Sequence, residues 1–218
     1  MKTPFLSCAV KLPPDFRAND ILSFHRRDPL MVAERVDANT LQKGLTWQGN
    51  AACLTIRFHF NHADAELAID GPPAAGGAEL LEHMVKRMLG LTQRIEDFEH
   101  AYRQHTHLGF LISKRPGLRV PLSATPFEAL TWAITGQQIS VSAAIAIRRR
   151  LIQTAGLKHS GGLICYPDAR LIARLSEAGL CQAGFSRVKA RTLIGLSLRV
   201  QENLLPLDEW TVQLLSVL

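Results

Sequence analysis

The chain has 218 residues, 47% hydrophobic and 20% charged, a composition that fits one large or two ordinary folded domains and excludes a disordered chain. The formal charge is +6 and the pI near 9.5, a balance that suits a polyanionic partner without requiring one. No run of eighteen apolar residues occurs, and MKTPFLSCAVKLPPDF is interrupted by Pro4 and Pro13 without a small-residue cleavage site, so no membrane span or signal peptide is expected and the protein reads as cytoplasmic.

Cys8, Cys53, Cys165 and Cys181 form no CxxC pair, which predicts four unlinked thiols in a reducing compartment. Of the eight histidines, His59 and His62 flank a turn and His105 and His107 are neighbours, but no pair stands at helical i, i+4 spacing beside a carboxylate. The expectation is therefore no iron–sulfur cluster, no structural zinc, no other metal and no cofactor.

The first part of the chain reads as an α+β unit. A strand is expected near Phe5 to Val10. A short helix with Ile21, Leu22 and Phe24 follows, capped by Asp15 or Asn19 and stopped before Pro29. Weaker strands are expected at Met31 to Val36 and Leu45 to Trp47. AACLTIRFHF, Ala51 to Phe60, alternates, with Leu54, Ile56, Phe58 and Phe60 on one face and Thr55, Arg57 and His59 on the other. Asn61 to Asp64 makes the turn and Glu66 to Ile69 the returning strand. GPPAAGG at Gly71 to Gly77 is a linker by composition.

The period then becomes helical. Leu80, Leu81, Met84, Val85, Met88 and Leu89 form a stripe that Gly90 ends, with the two methionines as core filler. A helix from Arg94 to Arg103 carries Ile95, Phe98 and Tyr102; Gln104 to His107 and a short apolar piece lead to the turn KRPG at Lys114 to Gly117. Thr125-Pro126-Phe127-Glu128 is a capping box with proline at the first helical position. The helix it opens buries Phe127, Leu130 and Ile134 and closes at Gly136. Ser140 caps the next helix, with Val141, Ala144, Ile145, Leu151 and Ile152 as its stripe, Arg149 and Arg150 solvated, and Arg148 open between a solvated and a DNA-facing role. One helix is expected from Asp168 to Gly179, another from Ser186 to Glu202, and a last from Leu207. The expected division is a sheet domain at residues 1–76, bridging helices at 77–112 and a helical domain at 113–218.

Within this apolar frame the turn Gln137-Gln138 stands out. A solvated connection would explain it; so would contact with DNA, because amide side chains bond to base edges and the helix opening at Ser140 offers backbone N–H groups to phosphate.

The string RPGLRVPLSATPFEALTWAITGQQIS, Arg115 to Ser140, with VSAAIAIRRRL after it, resembles the alkylation-repair DNA glycosylases of the 3-methyladenine type II branch, within the helix–hairpin–helix glycosylase superfamily. The α+β start and GFSRVKARTLIGLS, Gly184 to Ser197, extend the likeness from about Lys11 to Leu218. The resemblance implies an enzyme that binds double-stranded DNA, flips an alkylated purine such as 3-methyladenine into a pocket and hydrolyses its N-glycosidic bond. It makes Gln138 the wedge entering the duplex beside Gln137 and puts Phe24 in the base pocket, a position that a plain core phenylalanine would also explain. Ser140, through the helix it opens, and Arg149 and Arg150, as basic residues beside that turn, are the further candidates for DNA contact, a solvated helix face being the other explanation of the arginines.

The family's glycine-containing hairpin and catalytic aspartate follow the segment that TVQLLSVL, Thr211 to Leu218, resembles. Both are expected past Leu218; Asp208 and Glu209 precede the hairpin position, and Glu128 is engaged as a cap. The chain as given is therefore expected to be C-terminally incomplete and not to excise bases, and an uncovered apolar face including Ile95 and Phe98 would favour self-association. A different reading is a non-catalytic DNA-binding or interaction protein descended from a glycosylase. A third, an oxidised-purine glycosylase and lyase, would need a lysine nucleophile near the hairpin.

Overall fold

The computed structural model describes residues 4–72, 76–207 and 209; most of the helix expected from Leu207 and part of the 71–77 linker lie outside them. In chain order the elements are β1 (Phe5–Lys11), α1 (Ala18–His25), β2 (Glu34–Val36), β3 (Thr40–Trp47), β4 (Asn50–Phe58), β5 (His62–Ile69), α2 (Gly77–Met88), α3 (Ile95–Tyr102), α4 (Leu108–Lys114), α5 (Pro126–Gly136), α6 (Val141–Ala155), α7 (Ala169–Ala173), α8 (Glu177–Gln182) and α9 (Arg187–Gln201). The architecture is α+β, an antiparallel sheet ordered β1-β5-β4-β3-β2 followed by helices.

Alternation along β4 and β5 sets the inner face of the sheet. Phe58 stands opposite Ala63, Ile56 opposite Ala65 and Leu54 opposite Leu67. Two of these pairs match a large residue with alanine, which leaves room for α2 to lie over the sheet. Leu81, Met84, Val85 and Met88 of α2, with Ile21 and Leu22 of α1, complete this first core. The helix expected to bridge the two parts is thus packed into the sheet. Phe60, expected on the inner face, lies in the hairpin turn fully exposed, because β4 ends at Phe58. A second core gathers Phe127, Ile147, Leu151, Ile172, Leu180, Phe185 and Leu193.

A buried ionic group joins sheet and helices. Lys43 points inward from β3, fully buried, and its Nζ donates to Glu34 Oε1 at 2.7 Å and to Glu128 Oε1 at 2.8 Å. Arg148 of α6 reaches both Glu34 oxygens at 3.2 Å and Glu128 Oε1 at 2.8 Å. His25 Nδ1 lies 3.2 Å from Glu34. The Tyr166 ring lies 4.9 Å from the Arg148 guanidinium, and its hydroxyl shares a 2.5 Å hydrogen bond with Thr131. Burial pushes that phenol up to about 12.

The structure corrects several expectations. Arg148 is buried, not on a solvated face. Glu128 does cap, but through the Ala124 N–H at 3.1 Å, and its other oxygen belongs to the ionic group. On α5 the buried positions are Phe127, Glu128, Thr131 and Thr135, while Leu130 is exposed, because the helix turns its polar side toward Tyr166 and Lys43. On α6 the exposed residue is Val141, and Ile147 replaces it inside. The helix expected from Asp168 to Gly179 is two, since Ser176 re-caps the chain with its hydroxyl accepting from Gly179 N. The short apolar piece after His107 is helix α4, and α1 starts after Arg17 without a side-chain cap.

The segment before α7 adds a further edge to the sheet. Tyr166 N–H donates to Gly44 O at 3.0 Å, and Thr46 N–H to Tyr166 O at 3.2 Å. Gly44 is required there: a Cβ would stand 2.6 Å from Ile164 O.

Burial alone would raise the Glu128 carboxyl, but Lys43 and Arg148 outweigh it and hold it at about 2. A carboxylate depressed in the folded state stabilises it fully above the unfolded value of about 4.3, and the contribution is lost as pH falls through the folded value. Urea midpoints measured from pH 7 downward should therefore decline from about pH 4.3. Glu128→Gln, which leaves Lys43 and Arg148 short of a counter-charge, should cost about 3–5 kcal/mol at neutral pH and flatten that acid limb.

Candidate nucleic-acid interface

Helices α5 and α6 meet at a turn whose backbone is set by three local interactions. The Thr125 hydroxyl accepts from Glu128 N at 3.0 Å and fixes the start of α5. Lys189, on the first turn of α9, donates to Thr135 O at 3.0 Å and Gln137 O at 2.7 Å, closing the carbonyl end of α5. Ser140, in extended backbone, accepts from Ala143 N at 3.3 Å and opens α6. Between these anchors Gln138 takes φ 55°, the left-handed region that a glutamine seldom occupies.

Gln137, Gln138, Ile139, Ser140 and Val141 are all exposed. Val141, at 70%, is an apolar side chain left in solvent at the tip of a rigid helix pair. The first-turn amides of α6 lie beside this tip and carry the positive end of the helix dipole. Gly184, at φ 104°, makes the turn before α9; Ser186 then caps α9 by accepting from Lys189 N at 3.3 Å.

The basic residues separate. Arg150 is exposed and its Nε donates to Ala183 O at 2.7 Å, which ties the stem to the α8–α9 turn. Arg149 is not solvated as expected: its guanidinium pairs with Asp28 at 2.6 Å and its side chain is only 19% exposed. Arg149 therefore ties α6 to the loop after α1.

Phe24 is half-buried on α1. The Arg27 guanidinium lies 3.9 Å from its ring centroid and 4.7 Å from the ring of Trp132 on α5. Arg27 is a desolvated cation, its pKa lowered by burial and by nearby Arg148. A separate cleft of about 410 Å³ opens at the opposite end of α5, lined by Thr46, Phe127, Glu128, Tyr166, Arg170 and Glu209. It does not include Phe24 or the glutamine turn.

Sequence reading placed Lys189 on the first turn of its helix but missed its hold on the end of α5, and it missed Arg27 and Trp132, along with Glu34, Lys43 and His25 of the ionic group. Lys43 had a signal: in TLQKGLTW it occupies the same strand face as Leu41 and Leu45, where a lysine needs a buried partner. That face is visible only once β3 is extended back to Thr40.

Comparison with known proteins bears on this geometry. Residues 8–125 match the AlkA N-terminal domain, more than half of the chain. Residues 131–213 match the HhH-GPD superfamily of base excision DNA repair proteins. The chain belongs to the AlkA-type DNA glycosylases. Among relatives of this AlkA-type chain, YfjP of Bacillus subtilis (strain 168), assigned as a DNA-3-methyladenine glycosylase, is 24% identical over 203 residues, 92% of this chain and 68% of that protein. DNA-3-methyladenine glycosylase 2 of Escherichia coli (strain K12) is 34% identical over 102 residues, 46% of this chain and 36% of that one. The 3-methyladenine DNA glycosylase structure from Archaeoglobus fulgidus shares the fold with a TM-score of 0.71 at 19% identity, covering 87% of this chain and 66% of that one. The chain thus spans about two thirds of the length of the Bacillus and Archaeoglobus proteins. No described helix is long and apolar enough to cross a membrane.

Arg149→Ala should lower the stability of this AlkA-type chain by about 1–3 kcal/mol in chemical denaturation, because the Asp28 carboxylate, 6% exposed, loses its cation.

Proposed function

We propose that this chain carries the DNA-opening part of a base-excision glycosylase for alkylated purines. The observation that carries the proposal is the exposed Gln137-Gln138 turn, held in unfavourable backbone at Gln138 and clamped from both sides by Lys189 and Ser140. A flexible linker would need none of these anchors. A turn that must enter a duplex does, because positioning entropy is removed before DNA arrives.

In this reading Gln138 occupies the gap left by a flipped nucleotide and Gln137 lies against the neighbouring base edges. The α6 amides beside Ser140 and the Arg150 guanidinium take phosphates. Phe24 and Trp132 offer ring faces to the extruded base. A planar cation already lies against both rings, which supports their fitness for an N-alkylated, positively charged purine. Hydrolysis needs a free carboxylate to stabilise the oxocarbenium-like sugar and position water. Neither Glu34 nor Glu128 is free in that sense, since each is buried and bound by Lys43 and Arg148.

Duplexes containing an abasic site test the wedge. Gln138→Ala should weaken binding to the abasic duplex by roughly tenfold, the loss of one well-placed contact, while affinity for intact duplex changes little. Arg150→Ala should reduce the salt slope of binding by about one phosphate equivalent, and Arg149→Ala should leave it unchanged.

Alkylated DNA incubated with residues 1–218 should be bound without release of methylated purines. Free 3-methyladenine in that assay would place a catalytic carboxylate within the chain. The alternative, a DNA-binding protein without chemistry, is favoured by the engagement of Glu34 and Glu128, and it forbids release in every longer form as well.

The α3–α4 surface, with Phe98 at 45%, Tyr102 at 43%, Phe110 at 60% and Leu111 at 59% exposed, offers an apolar face to a second copy. Light scattering showing a monomer at all concentrations would remove self-association from the proposal.

A further inference from the structure

The β4–β5 hairpin, in the middle of the sheet, gathers a side-chain cluster apart from the proposed DNA-facing turn. Ala63 and Ala65 point into the core, so His62 and Asp64 share the solvent face of β5. His59 follows the last residue of β4 and stands opposite His62, its N–H donating to His62 O at 2.9 Å. The two imidazoles stack with centroids 4.5 Å apart at 11°. Asp64 Oδ2 lies 3.1 Å from His59 Nε2 and 3.8 Å from His62 Nε2. One ligating atom from each residue falls within 4.8 Å of the others.

Donors held by one zinc ion at about 2.0–2.1 Å in tetrahedral geometry stand about 3.3 Å apart. The two distances to Asp64 bracket that value. His62 is also held from behind: its Nδ1 lies 2.9 Å from Asn61 Oδ1, the outer hydrogen bond that orients a metal-binding imidazole and leaves Nε2 outward. Arg57, which faces Asp64 across the strands, interacts with Glu66 at 3.8 Å and so does not claim Asp64. All three side chains are 42–50% exposed, so an ion can reach them without unfolding the hairpin.

We propose that His59, His62 and Asp64 form a surface site for a divalent transition metal. Two imidazoles and one carboxylate select zinc, nickel or copper over magnesium and calcium, which take oxygen donors. Three protein donors leave a tetrahedral ion one open position, filled by water or an outside ligand. A bound ion would also cross-link β4 to β5 where the hairpin turns.

The test uses the untagged 218-residue chain, titrated with zinc chloride by calorimetry in a non-chelating buffer and with cobalt chloride by visible absorption. Wild-type protein should give one saturable event and tetrahedral cobalt bands, both lost in His59→Gln/His62→Gln. Asn61→Ala should weaken binding roughly tenfold through loss of the outer hydrogen bond. His105→Gln/His107→Gln should leave the event intact. Circular dichroism confirms folding of each variant. Absence of binding in the wild type, or binding that survives His59→Gln/His62→Gln, overturns the proposal.

Discussion

The fold depends on one constraint: Lys43 is buried at the inner face of a strand, where an ammonium needs anions close by. Glu34 on β2 supplies one, and Glu128 at the start of α5 supplies the other. Arg148, from α6, binds both carboxylates and balances the charge, leaving two cations against two anions. His25 adds no net charge in this arrangement, since burial lowers its pKa despite contact with Glu34. The four charges come from two strands and two helices, so they are satisfied only when sheet and helices meet at one angle.

That constraint reaches the glutamine turn through helix geometry. Glu128 and Arg148 fix α5 and α6 at points eight or more residues from Gln137 and Ser140, and helices of this length carry an angle from one end to the other. Lys189 brings α9 into the same frame by holding the last carbonyls of α5. Val141 and Ile139 can then be left exposed beside a strained Gln138, because the stems do not rely on the turn for stability. A buried polar connection is a costly way to gain energy, since well-packed apolar residues would serve as well or better. It is an effective way to reject alternative dockings, each of which would strand a charge.

Much of this was legible in the sequence where the signal was local. The Thr125–Glu128 cap, the Ser140 and Ser186 helix starts and the β4 alternation are short-range patterns, and each lies in the structure within a residue or two of its expected place. The less legible features are long-range. Arg148 looks like its neighbours Arg149 and Arg150 in the triplet, yet one is buried, one pairs with Asp28 and one is exposed, because successive residues on a helix point about 100° apart and meet different surroundings. Nothing in the triplet says which residue faces Glu34, 114 positions away. The polar buried side of α5 was missed for the same reason: Thr131 and Thr135 read as surface residues until Tyr166 and the preceding turn carbonyls are brought to their hydroxyls.

The same distinction explains why His59, His62 and Asp64 did not read as a ligand set, although His59 and His62 were seen to flank a turn. Helical spacing is the wrong template for a hairpin, in which partners are cross-strand neighbours and residues two apart. His59, His62 and Asp64 satisfy that second template, and Phe58 and Ala63, pointing inward between them, fix the register that brings the three to one face. A slip of one residue in the β4–β5 pairing would bury His62 and Asp64 and expose Ala63 and Ala65. The sheet core that holds α2 thereby also fixes how His59, His62 and Asp64 stand on the opposite face.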